Sequence, residues 1–115
     1  MQMRVKLFDG VEHELVLYNG IPLLNFEIEL TIDEDCDGED EDFVFDSFVS
    51  GSLRVYNERS GRLIRTIPVT QSDSSIVINT TNTTFEDNGL YYFDLTYIQS
   101  GGYEAVLMYG KLRVI

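Results

Sequence analysis

The chain has little of what usually staples or equips a protein of 115 residues. Cys36 is its one cysteine, which excludes an internal disulfide. There is no tryptophan, and His13 is the one histidine. His13 lies between Glu12 and Glu14 with no nucleophile or second ligand near it in sequence, the pattern of a structural side chain rather than an acid–base group. Cys36 sits among carboxylates, which disfavour its thiolate and hence nucleophilic chemistry. No G-x-S-x-G, H-E-x-x-H, paired C-x-x-C, P-loop or dinucleotide fingerprint occurs. The expectation is a protein that is not an enzyme. No apolar run is long enough to cross a bilayer, and Met1–Lys6 lacks the apolar stretch that follows the basic start of a secretory signal. Synthesis in a reducing compartment, and solubility there, are therefore expected. In that setting the sequons at Asn79 and Asn82 read as a polar loop.

Positive charge is also scarce: 8 bases oppose 20 acids, for a net charge of −12. Residues 33–42 hold eight of those acids and no base, so one segment carries most of the field. The bases cluster at Arg4 and Lys6, at Arg54, Arg59, Arg62 and Arg65, and at Lys111 and Arg113. A phosphate backbone needs a basic stripe, so nucleic acid is not an expected partner. A modest basic face opposite the acidic loop would instead let copies, or a partner protein, dock head to tail.

Within the acidic segment, Asp33, Asp35 and Asp37 alternate and Gly38 follows, the first half of a calcium loop. Alternate carboxylates let a chain wrap a hard cation in oxygen ligands. The closing glutamate of such a loop is missing, since Val44 stands at the twelfth position. The two readings are a weak Ca²⁺ site and a solvated, self-repelling loop. No other cofactor is expected.

What is present is period-two alternation, with no helical periodicity over three turns. Met3, Val5 and Leu7 alternate with Arg4 and Lys6; Asp9-Gly10 signals a hairpin or bulge before a second run, Val11–Tyr18. After Asn19-Gly20 and Pro22, Leu24–Ile32 sets Leu24, Phe26, Ile28, Leu30 and Ile32 against Asn25, Glu27, Glu29 and Thr31. Leu53–Asn57 and Arg62–Val69 form a hairpin across Glu58–Gly61, with Pro68 predicting an edge or an ending. Gln71–Ser75 reads as a loop, and Ile76–Ile78 as a short strand. Tyr91–Ile98 and Tyr103–Ile115 close the chain as a hairpin, with a bulge or close approach at Gly110. These strands, seven to nine in number, predict an all-β domain spanning residues 1–115.

Asp87-Asn88-Gly89-Leu90-Tyr91 refines that class. A tyrosine so placed tucks its ring under a corner and bonds back to main chain, while the glycine permits positive φ. Asp87, Gly89 and Tyr91 thus predict an immunoglobulin-like antiparallel β-sandwich without the usual cystine, whose second position holds Phe93. The final hairpin is rich in aromatics. Tyr92, Tyr103 and Tyr109, with Arg54, Arg62 and Arg65, are the candidate interface residues.

Three segments together carry a resemblance: L-R-V-Y-N-E-R-S-G-R-L-I-R-T (53–66), F-E-D-N-G-L-Y-Y-F-D-L (85–95) and the ending G-K-L-R-V-I (110–115). In this order, after a long strand and an Asp-rich loop, they resemble small β-sandwich domains of tailed-bacteriophage virion proteins. Those domains include N-terminal domains of upper-baseplate and tail-fibre proteins and Ig-like capsid-decoration proteins. The resemblance implies a non-catalytic accessory subunit, made in the host cytoplasm and carried on the virion in many copies. Its partners would be other virion proteins, either the major capsid protein or tail and portal components, with no membrane contact. Two alternatives stand beside it: an adaptor or receptor- or carbohydrate-binding module of a tail fibre or baseplate, and a cytosolic acidic anti-defence protein.

Overall fold

A computed structural model describes residues 2–7, 13–17, 26–33, 38–45, 47–79, 85 and 87–115, with the side chains of residues 2–4 and 26 excepted. Nine strands and no helix occur among them: β1 (Gln2–Lys6), β2 (His13–Leu17), β3 (Phe26–Ile32), β4 (Glu41–Asp42), β5 (Ser50–Asn57), β6 (Leu63–Ser72), β7 (Ser75–Ile78), β8 (Gly89–Ile98) and β9 (Glu104–Val114). The all-β class read from the alternation is the class observed. Eight strands hydrogen-bond in the order β1-β3-β7-β6-β5-β8-β9-β2, and β4 adds to β3.

This sheet has to curl. Laid flat, its outer strands would lie about 33 Å apart. They are nevertheless joined by the short link from Lys6 to His13, which reaches at most about 25 Å. Curling brings the alternate residues of nearly every strand onto one core, among them Val5, Leu15, Ile28, Leu30, Leu53, Val55, Ile76, Leu95 and Leu112.

The strands are not antiparallel throughout. β1 runs parallel to β3, and β2 runs parallel to β9. Asp9-Gly10, read as a hairpin or bulge, lies outside the described residues, and β1 and β2 do not pair with each other as a hairpin would. Each covers a different edge of the sheet instead. Dividing the N-terminal segment this way pairs β3 and β9 along their outer sides and makes β1 and β2 the outer strands of the sheet. Asn19-Gly20 and Pro22 also lie outside the described residues.

Elsewhere the differences are local. β3 keeps its alternation through Ile28 and Leu30, but Thr31 is buried as well. Its position pairs with both β1 and β4, and its hydroxyl donates to the Val5 carbonyl at 3.4 Å. β6 continues past Pro68 to Ser72, because it changes partner there: Leu63–Val69 pairs with β5 and Val69–Ser72 with β7. The predicted loop at Gln71–Ser75 is a tight hairpin, with Ser72 opposite Ser75 and Asp73 in the left-handed region at φ 53°. Its polar composition concealed the turn. In β9 the bulge falls at Leu107, skipped between the Leu95–Met108 and Thr96–Val106 pairs, so Leu107 and Met108 are both buried. Gly110 is instead the close approach, facing the His13 backbone.

Candidate functional site

Two surfaces bring the predicted residues together. The first is the corner entering β8. Gly89 adopts φ 139°, a region that favours glycine, and turns the chain into the strand. Two residues on, Tyr91 is buried, and its hydroxyl donates to the Asp87 carbonyl oxygen at 2.5 Å. Its ring packs against Phe85 with centroids 5.4 Å apart. Beside the corner lies an open cleft of about 360 Å³, lined by Asn57, Glu58, Arg59, Asp87, Asn88, Leu90 and Tyr91. Asn57 shapes its other wall by accepting the Arg59 and Ser60 amides at 2.9 and 3.0 Å. Tyr91→Phe removes one hydroxyl and keeps the ring, so it is expected to cost about 1 kcal/mol in equilibrium unfolding. An unchanged midpoint would show that water replaces the bond without loss.

The second surface is the outer face of β5, β8 and β9. Period two sends Tyr91, Phe93, Leu95 and Tyr97 inward and Tyr92 and Asp94 outward. Register then sets Tyr92 between Tyr56 and Lys111, and Asp94 between Arg54 and Tyr109. Tyr92 is 40% exposed and Tyr109 59%. Asp94 organises the centre of this face. Arg54 holds it with two hydrogen bonds, Nε to Oδ1 at 2.7 Å and Nη2 to Oδ2 at 3.1 Å, and also reaches Glu104 at 3.1 Å. The Tyr56 hydroxyl donates to Asp94 Oδ2 at 3.0 Å. The hydrogen bond to Asp94 raises the Arg54 pKa above its ordinary value, and burial pushes the Tyr56 phenol up, aided by the same carboxylate. Forked, charge-assisted pairing of this kind fixes geometry. It makes Arg54 a rigid support for the neighbouring tyrosines, with its charge engaged within the chain.

The other candidates are dispersed. Tyr103 is 72% exposed at the β8–β9 turn, away from Tyr92 and Tyr109. Arg62 and Arg65 are exposed on the β5–β6 hairpin. Asp33 Oδ2 accepts the Gly38 amide at 3.1 Å, whereas Asp35 and Asp37 lie outside the described residues. Among the described residues, no group of three His, Cys, Asp or Glu side chains has a metal-holding arrangement. Among the same residues, no helix is long and apolar enough to cross a membrane. Sequence reasoning missed Tyr56, Asp94 and Glu104. Asp94 carried a signal, since it is an acid at outward parity inside an otherwise apolar strand.

An all-β chain curled around one core, without internal cross-links, is therefore the class that the fold defines. Searches against protein-family models and curated proteins find no match. Among solved structures, the chain is similar to the N-terminal domain of phage TP901-1 ORF48, with a TM-score of 0.59 and 10% sequence identity. The superposition covers 99% of this chain and 98% of that one. At that identity the likeness is one of fold.

Proposed function

We propose that the chain is a non-catalytic structural subunit of a phage virion, an accessory protein that docks on the capsid or the tail. The observation that carries this reading is end-to-end correspondence with a domain of a phage protein. The outer face of β5, β8 and β9 supports it: exposed Tyr92 and Tyr109 stand on a backing held rigid by Arg54 and Asp94. Tyrosines offer large contact area at low entropic cost, and a fixed backing lowers the cost of docking further. Other virion proteins are the partners, and the subunit is carried in many copies.

A second reading, a receptor- or carbohydrate-binding module, rests on the polar cleft beside Tyr91, whose amides and carboxylates suit a polyhydroxylated ligand. The two separate in one experiment. Particles are assembled in cells supplying either wild-type chain or the Tyr92→Ser/Tyr109→Ser pair. Docking through the tyrosine face lowers incorporation of the variant at least about tenfold, as loss of interface anchors does. Undiminished incorporation would move the contact elsewhere, and binding of the chain to a glycan array would favour the second reading.

A further inference from the structure

One edge of β3 is shared between two neighbours. Phe26–Glu29 pairs with β7, and Thr31–Ile32 pairs with β4. Leu30 lies between them: its amide donates to the Ser74 carbonyl at 3.0 Å, and its own carbonyl accepts the Phe43 amide at 3.0 Å. The β6–β7 turn and the segment leaving β4 therefore meet at Leu30, and a groove of about 330 Å³ opens between them. Asp42–Phe45 line it on one side, and Gln71, Asp73 and Ser74 on the other. The first side is apolar and braced. Phe43 meets Phe45 edge to face with centroids 5.0 Å apart, and Phe45 meets Tyr97 in the same way at 5.2 Å. Val44, between the two phenylalanines, is 82% exposed. Asp42 and Asp73 are both exposed, and neither carboxylate has an ion-pair or hydrogen-bond partner among the described residues. No lysine, arginine or histidine occurs in residues 33–53 or 66–110, the two stretches that supply this lining. Lys6, on β1, is engaged by Asp40 at 3.2 Å.

We propose that this groove docks an arginine-bearing, apolar-flanked segment of a partner protein, with the guanidinium set between Asp42 and Asp73 and the flanking residues covering Val44. This goes beyond the tyrosine face, which is built on other strands, and it holds whether or not the partner is a virion protein. Charge decides the occupant. An acidic segment is repelled, and a purely apolar one would cover two carboxylates without giving them a partner, a cost that its own burial does not offset. A cation satisfies both through charge-assisted hydrogen bonds. Arginine suits the place best, because its planar fork donates in several directions at once and stacks on aromatic rings. A free polyamine would meet the carboxylates and leave Val44 in water, so the exposed apolar wall points to a protein segment rather than to a small cation. Ring contacts already hold that wall in place, so little order is lost on binding.

The test is solution NMR of the full chain at about 0.15 M salt, where exposed charges more than about 8 Å apart are largely screened. The probe is a capped peptide with one arginine between two leucines and a glycine at each end. Titration should give saturable amide shifts confined to Asp42–Phe45 and Gln71–Ser74. Citrulline in place of the peptide's arginine keeps the shape and loses the charge, and should weaken binding at least about tenfold, as should Asp42→Asn/Asp73→Asn in the protein. Asparagine tolerates the positive φ of Asp73, 53°, so that variant keeps the turn. Val44→Ser should weaken binding at least about threefold. An unperturbed remainder of the amide spectrum establishes that each variant is folded, and the citrulline comparison on wild type stands if one is not. No saturable binding, shifts centred elsewhere, or equal affinity for the citrulline peptide would overturn the proposal. Spermidine binding as tightly as the peptide would also overturn it, by making the site one for a free cation. So would self-association of the chain that Asp42→Asn/Asp73→Asn abolishes, since the occupant would then be a second copy. None of those results bears on whether the chain is incorporated into particles, which the tyrosine-face experiment reads separately.

Discussion

Gly110→Ala is expected to lower the unfolding free energy by about 3 kcal/mol or more, because the new methyl group has nowhere to go. A Cβ at Gly110 would collide with the His13 carbonyl oxygen and stand 2.9 Å from the His13 amide nitrogen. Those are backbone atoms of the paired strand, so no side chain can swing aside to make room. β2 has to move off β9, and with it Leu15 and Leu17, now 1% and 5% exposed, leave the core. Burial of each leucine contributes about 1.5–3 kcal/mol, which sets the scale of the loss. Gly61→Ala is the control: the position has φ 69° and open space around a Cβ, so only backbone strain of about 1 kcal/mol is expected. Urea unfolding of both variants checks the contrast. Equal midpoints would mean that β2 is not held against Gly110.

Leu53→Ala should be nearly as damaging, by about 2–5 kcal/mol. Leu53 is fully buried in β5, paired with Ile67 of β6 on one side and Leu95 of β8 on the other. A cavity there cannot collapse without shifting three strands together. Given a total stability of about 5–15 kcal/mol, that single truncation removes a large share of it. Val44→Ala, at a position 82% exposed, should stay within about 0.5 kcal/mol of wild type. Similar costs at the two positions would contradict a core centred on β5.

The contrast between Leu53 and Val44 also marks what the sequence reveals. Alternation identified β3, β5, β8 and β9 because each buries one face, and period two records that asymmetry directly. Of the three tyrosines named as candidate interface residues, Tyr92 and Tyr109 share one face, and Tyr103 lies apart at the β8–β9 turn. The destinations of β1 and β2 were not legible. Their inward residues would be the same in a local hairpin as at two distant edges, so pairing partners leave no trace in the pattern. The β6–β7 turn was hidden because Asp73 adopts positive φ without a glycine to announce it. The Arg54–Asp94–Tyr56 network depends on cross-strand register, which alternation alone does not fix. The partner is written even more faintly, since a docking face differs from a solvated one chiefly in what covers it.

Quantitative mass spectrometry of gradient-purified phage particles, assembled in cells that express this sequence, tests the proposed virion assignment most directly. The chain should co-migrate with the particles at a fixed, multi-copy ratio to the major capsid protein and withstand washing. Its absence from intact particles, with the protein recovered only from the clarified lysate, would contradict the account.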